Sequence, residues 1–225
     1  MRITVLGSGN GAVAAAAHMT QKGHLVTMSN RRASSLEELK KDSRVKIIGN
    51  ALKNETVQIN KIENNVSDAI TDADVIIICV PSVGHEYYAN EIAKVLSDKQ
   101  IVMLNPGHMG GSLHFVNYLR KAGYTKKINL CETNTLTYVT RMVDSHTIGI
   151  HNVVEKAYLA SIPANNDDIK KILELYPLLQ YKPNVLYTAM ADLNAVMHPP
   201  AMLLNAALIE RTKGDFTIYN EGTTP

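Results

Sequence analysis

The sequence predicts an α/β protein built on a doubly wound parallel sheet, and three observations carry that expectation. Short β-branched runs alternate with stretches of helical spacing from Ile3 to Cys131. One run, Val75-Ile76-Ile77-Ile78-Cys79-Val80, is apolar on both faces, which suits a strand in the middle of a parallel sheet. Glycine-rich or polar loops follow successive strands, on the side where such sheets bind ligands.

The opening stretch is the most informative. Ile3-Thr4-Val5-Leu6 is a strand that stops at Gly7-Ser8-Gly9-Asn10-Gly11-Ala12. An alanine-rich helix then runs to Gly23, and Leu25-Val26-Thr27-Met28 is a second strand. This is the order and spacing of a dinucleotide-binding β-α-β unit. Gly7 lets the strand turn sharply, Gly9 lets the backbone approach a pyrophosphate, and Ala12 is small enough for the helix to pack on the strand. N–H groups at the helix start, around Asn10 and Gly11, then face the anion.

The end of the second strand selects the cofactor. Asp or Glu there would accept from a ribose 2′-hydroxyl, but this chain reads Ser29-Asn30-Arg31-Arg32. Those residues either form a solvated basic loop or hold a 2′-phosphate through charge-assisted bonds. The second reading makes NADP, rather than NAD, the preferred cofactor.

Composition excludes several classes. The net charge is +2 with no basic run longer than two residues, Trp is absent and aromatics are 5% of the chain, so nucleic acid is not the expected partner. No apolar stretch approaches the ~18 residues of a membrane span. Cys79 and Cys131 lie in separate apolar runs without metal spacing, as reduced buried thiols of a cytosolic protein do.

Further along, Ser34-Ser35-Leu36-Glu37-Glu38 reads as a serine-capped helix start, and 45–48 with 56–59 as an antiparallel pair. A short helix over 66–71 precedes the central strand, whose end carries Pro81-Ser82-Val83-Gly84-His85. A helix over 86–97, a strand over 101–104 and the turn Asn105-Pro106-Gly107-His108-Met109-Gly110-Gly111 follow. Then come a helix around 113–119 and a strand over 128–131 ending in Glu132-Thr133-Asn134-Thr135. Three such strand ends beside the first glycine turn favour a shared cleft, with Pro81, His85, Asn105 and Gly107 as candidate cofactor contacts. Glu132 either belongs to that cleft or only caps its loop.

Residues 137–143, 147–150 and 156–162 read as an antiparallel extension. Asn166 caps a helix expected to run to about Gln180, and 185–187 reads as a last strand. Helices are expected over 189–197 and 201–211. His198 precedes Pro199-Pro200 and is therefore expected at a break between them. The nucleotide-binding domain is taken as 1–187 and the helical segment as 188–225.

Together these residues resemble the opine (octopine/nopaline) dehydrogenase family. The segments that carry the likeness are the glycine turn, Val80-Pro81 with His85, Asn105-Pro106-Gly107 with Gly110-Gly111, Glu132-Thr133-Asn134-Thr135 with Tyr138 and Arg141, and Asn194-Ala195-Val196-Met197-His198-Pro199. Thr137 stands where a proline is common. The resemblance implies a Rossmann-type domain followed by an all-helical domain. It also implies NAD(P)H-dependent reductive condensation of an amino acid with a 2-oxo acid, with His198 as acid/base and Arg141 and Asn194 on the substrate side. A histidine titrates near neutrality and suits both halves of a proton transfer.

By the same resemblance the chain covers only the start of the helical domain, and the carboxylate that pairs with the histidine has no counterpart in it. The remainder is then expected to have been cut from a longer protein, to sit on another chain or to be lost, and the helical segment to fold back on its own sheet, pair with a second copy or await a separate helical domain. Two other readings share these features: a reductase like ketopantoate reductase or glycerol-3-phosphate dehydrogenase, and a non-catalytic dinucleotide-binding module.

Overall fold

A computed structural model describes residues 1–223; Thr224 and Pro225, at the end of the expected helical segment, lie outside them. The chain forms two compact units, Met1–Ala191 and a second one from Asp192 on.

The first unit opens as expected with β1 (Arg2–Leu6), α1 (Asn10–Gln21) and β2 (Leu25–Ser29), the two strands parallel. A 3-10 turn over Ala33–Leu36 then leads into α2 (Glu37–Lys41). The serine cap expected here is absent: Leu36 holds the cap position and no side chain bonds the first turn. β3 (Arg44–Ile48) and β4 (Glu55–Gln58) pair antiparallel, as expected. β5 (Lys61–Glu63) is an edge strand beside β2 that three alternating residues were too few to reveal.

α3 (Val66–Ile70) is capped by the Asn65 side chain, which accepts from the Ser67 and Asp68 N–H groups. β6 (Val75–Ile78), α4 (His85–Ala93), β7 (Ile101–Leu104), α5 (Gly111–Lys121) and β8 (Asn129–Thr133) continue the alternation.

The first sheet has eight strands, and its middle runs β8-β7-β6-β1-β2, all parallel. Its side chains alternate between two cores, which is what winding helices over both faces requires. Val75 and Ile77 enter one core with α1; Ile76 and Ile78 enter the other with α3, α4 and α5.

The antiparallel extension is β9 (Tyr138–Asp144) with β10 (Thr147–Val153). With β3 and β4 they make a separate four-stranded sheet, ordered β4-β3-β10-β9. Its residues Val45, Ile47, Ile148 and Ile150 share a core with α1, so that helix is buried all round and Ala14 to Ala17 are fully enclosed. Four consecutive small side chains let the two sheets cover the helix this closely.

β11 (Tyr158–Ile162) leaves this pattern and pairs antiparallel with β8 at the far edge of the large sheet. The helix expected to reach Gln180 is shorter. Asn166 does cap, through a 3-10 turn, but α6 (Lys170–Leu175) stops before Pro177, and Gln180 lies in β12 (Gln180–Tyr181). The expected strand at 185–187 is also corrected: α7 (Val185–Met190) is a helix whose Asn184 cap accepts from the Leu186 N–H at 3.0 Å. A three-residue apolar run has no period, and the cap decided its conformation.

The second unit contains α8 (Leu193–Leu204) and α9 (Ala206–Thr212). His198 is not at a helix break. It lies inside α8, which carries Pro199 and Pro200 in mid-course and turns only at Asn205. Each proline removes one N–H from the ladder, yet the segment stays helical, so the local preference against helix before a proline is overridden here.

Candidate functional site

The glycine turn sits where the carboxyl ends of β1, β2 and β6 meet. Gly7 has φ +131°, its N–H donates to the Ser29 carbonyl at 2.8 Å, and a Cβ there would collide with the Cys79 carbonyl oxygen. No residue but glycine fits that point. Gly9 caps α1 without any side-chain bond to the first turn, and nothing lies within 4 Å of where its Cβ would be. The helix start is therefore open to an anion, with N–H groups that no cap side chain bonds and the positive end of the helix dipole.

The rest of the turn serves the protein itself. Asn10 Oδ1 accepts from the Met142 N–H at 2.9 Å, Gly11 leaves room for Leu136, and Ala12 is buried.

The loop after β2 is held from an unforeseen direction. Tyr88, buried on α4, donates to Asn30 Oδ1 at 2.9 Å and accepts from the Arg31 N–H at 3.1 Å. The Arg31 guanidinium lies 5.6 Å from the Tyr87 ring centre. A cavity of about 230 Å³ is lined here by Ser8, Asn30, Arg31, Arg32, Ser35 and Pro81, together with Val80, Val83, Gly84 and Tyr88. Sequence reading found the arginines and missed the tyrosines, because only the tertiary fold brings α4 beside β2.

The other strand-end residues are more enclosed than expected. His85 is 2% exposed, its ring packed edge-on to Phe115 and its Nε2 unpartnered among the described residues. Burial, then His108 and His114, lower its pKa to about 4. The fully buried Asn105 side chain donates to Thr137 Oγ1 at 2.8 Å and accepts from the Thr137 N–H at 3.1 Å. The Asn105 side chain is thus committed to holding its loop, whereas His85 is enclosed by packing.

Gly107 donates its N–H to the Thr133 carbonyl at 2.9 Å, and a Cβ on it would collide with the Glu132 carboxyl. Glu132 is fully buried; its Oε2 accepts from the Ser112 N–H at 2.8 Å and its Oε1 lies against the Thr188 hydroxyl. Burial raises its pKa against the pull of those bonds. Cys79 and Cys131 are free, buried thiols, and burial pushes that of Cys79 up to about 12.

Arg141 is exposed on β9, in the smaller sheet, with Gly149 as its cross-strand neighbour. Asn194 and His198 belong to the second unit. The Asn194 N–H donates to Asp192 Oδ1 at 3.2 Å, and exposed His198 pairs through Nδ1 with the Tyr219 hydroxyl at 2.8 Å. Among the described residues no helix is long and apolar enough to cross a membrane.

Comparison with known proteins agrees with this architecture. The family described as NAD/NADP octopine/nopaline dehydrogenase, alpha-helical domain, matches residues 181–225. An opine dehydrogenase of Arthrobacter sp. (strain 1C) is 33% identical over 98% of this chain and 61% of its own length. The chain is homologous to the opine dehydrogenases.

The likeness extends to a vitopine synthase of Allorhizobium ampelinum, 26% identical over 67% of this chain and 41% of the relative. Yersinopine dehydrogenase superposes on the whole chain with a TM-score of 0.81 at 18% identity, over 57% of its own length. Octopine dehydrogenase with NADH and pyruvate does so at 0.74 and 19%, again over 57%. The chain therefore spans a little over half the length of these structures. The nucleotide-binding part, residues 3–122, also belongs to the family described as ketopantoate reductase PanE/ApbA.

Proposed function

We propose that this chain is the dinucleotide-binding part of an NADP(H)-dependent opine dehydrogenase. Such an enzyme condenses the amino group of an amino acid with a 2-oxo acid and reduces the resulting imine. The observation that supports the cofactor half is the pairing of an open helix start at Gly9 with the Arg31–Arg32 cavity at the neighbouring strand end. The first would hold a pyrophosphate on backbone N–H groups, and the second a ribose 2′-phosphate on guanidinium groups. Bound NADPH supplies the hydride.

The chemical half rests on the Arthrobacter relative and on the substrate class of the solved ones. Octopine dehydrogenase has been solved with NADH and L-arginine, agmatine or pyruvate, and yersinopine dehydrogenase with NADP+. His198 would hold and move the proton at Nε2, because Nδ1 is engaged by Tyr219. Arg141 and Asn194 would face the substrates. We place the boundary between the two parts after Ala191, since 187/188 falls inside α7.

Leu193, Leu203 and Leu204 are exposed apolar side chains that need cover, from a second copy or from further helices. The buried thiols fit a reducing, cytosolic setting.

Titration with NADPH and NADH tests the cofactor assignment. NADPH should bind at least about tenfold more tightly, and Arg31→Ala and Arg32→Ala should each reduce that margin. Equal affinities, unchanged in both variants, would overturn it. The ketopantoate reductase match covers only the part common to both readings; NADPH oxidation with an amino acid plus pyruvate, set against ketopantoate alone, separates them in the active enzyme.

A further inference from the structure

We propose that Glu132 is a positioning residue that works as a neutral carboxylic acid, its proton lying between Oε1 and the Thr188 hydroxyl. In this state it braces the loop after β7 and the start of α5 against α7. The inference rests on the reading that the loop after β7 lies along the cofactor.

The hydrogen-bond inventory points to the neutral form. Thr188 Oγ1 carries a single proton but lies within bonding distance of two acceptors, Glu132 Oε1 and the Val185 carbonyl oxygen at 2.8 Å. A carboxylate at Glu132 would have to take that proton and leave the Val185 carbonyl without it; its other partner is Ser112, through the backbone N–H and the hydroxyl. The carboxyl is fully buried, and no Lys or Arg bonds to it among the described residues. A carboxylic acid satisfies Thr188 and the Val185 carbonyl together. It donates through Oε1 to Thr188, Thr188 donates onward to Val185, and Oε2 accepts from Ser112.

The surroundings agree. Burial raises the Glu132 pKa, against the hydrogen bonds from Thr188 and Ser112 and the nearby His108. Nearby His85 is held neutral, with its pKa lowered to about 4.

Three segments meet on this one side chain. Gly107 can approach only because it lacks a Cβ, Ser112 opens α5, and Thr188 sits on α7, the last helix before the second unit. The adjacent Asn134 adds a parallel tie, donating from Nδ2 to the Ala191 carbonyl at 3.0 Å. The end of β8 therefore fastens both the β7–α5 loop and the exit from the first unit.

The test uses substitution and infrared spectroscopy. In Glu132→Gln the amide oxygen can accept from Ser112 while the amide N–H donates to Thr188. This reproduces the acid, not the carboxylate. The full chain should show a protonated-carboxyl C=O stretch at neutral pH that is missing from E132Q. NADPH affinity in E132Q should stay within about twofold of the parent and fall roughly tenfold in E132A, which loses both ties. No such band, or E132Q as damaged as E132A, would overturn the proposal. The infrared comparison needs no cofactor and no E132A protein. A chain that shows the band but binds no dinucleotide would refute the functional reading and leave the neutral acid standing.

Discussion

Tyr88→Phe should weaken NADPH binding and leave NADH binding nearly unchanged. The ring is buried, so phenylalanine keeps its packing and only the hydroxyl goes. That hydroxyl donates to Asn30 Oδ1 and accepts from the Arg31 N–H, so two bonds that fix the loop are lost together. Each nets ~0.5–1.5 kcal/mol, and the Arg31 N–H, at a partly exposed site, regains water. A loss of about 1–2 kcal/mol of loop order remains, which becomes a fall of about 5–30-fold in NADPH affinity when the loop must be reordered on binding. NADH has no 2′-phosphate for that loop to hold, so its affinity should fall by less than about threefold. Fluorescence titration of both cofactors on parent and variant, with melting temperatures as a control, measures the difference. Equal losses for the two cofactors, or none, would refute the assignment of this loop to the 2′-phosphate.

Three further outcomes are expected. His198→Ala in the active enzyme should lower kcat by about 10²–10⁴-fold with little change in NADPH affinity; turnover equal to the parent would make His198 structural. Stability should fall as pH drops from about 6.5 towards 4, because His18 and His85 have folded pKa values of about 4 and the unfolded chain takes up protons first. Each histidine contributes a slope of at most ~1.4 kcal/mol per pH unit, and Glu132, with its raised pKa, acts in the opposite sense above its unfolded value. Urea unfolding at several pH values checks this, and His18→Gln should flatten the curve. Residues 1–191 expressed alone should fold cooperatively and bind NADPH, since they form a compact unit; an aggregated or non-binding product would show that the second unit is required.

The large sheet was legible because its strands are simple physical objects. Four consecutive isoleucine and valine side chains can be buried on both faces only in a central parallel strand, and β6 is that strand. The glycine turn was legible for a similar reason: φ +131° at Gly7 and the empty space at Gly9 are positions where a side chain is excluded or unwelcome. The elements that eluded reading are those fixed by neighbours. A run of three apolar residues became α7 because Asn184 caps it, and the prolines after His198 did not end α8. The alanines of α1 announced a helix, but not that a second sheet would close over it.

The site divides along the same line. Residues proposed to act through their own backbone or charge, such as Gly9, Arg31 and Arg32, carry a local pattern. Residues that act by bridging do not. Tyr88 stands 57 positions from Arg31, and Thr188 stands 56 from Glu132. In both places a buried side chain on one element fixes the strand-end loop of another. Such a bridge lets a loop that must approach a ligand stay ordered without a core of its own. Loops at sheet ends have few apolar contacts to hold them, so their geometry is set by the few polar groups that reach them from behind. Arg31 illustrates this division: it lines a cavity, while its backbone N–H is fixed by a tyrosine on the helix behind it. Removing the charge and removing the tyrosine hydroxyl should therefore both erode the same cofactor preference, the first by deleting the contact and the second by leaving it unplaced.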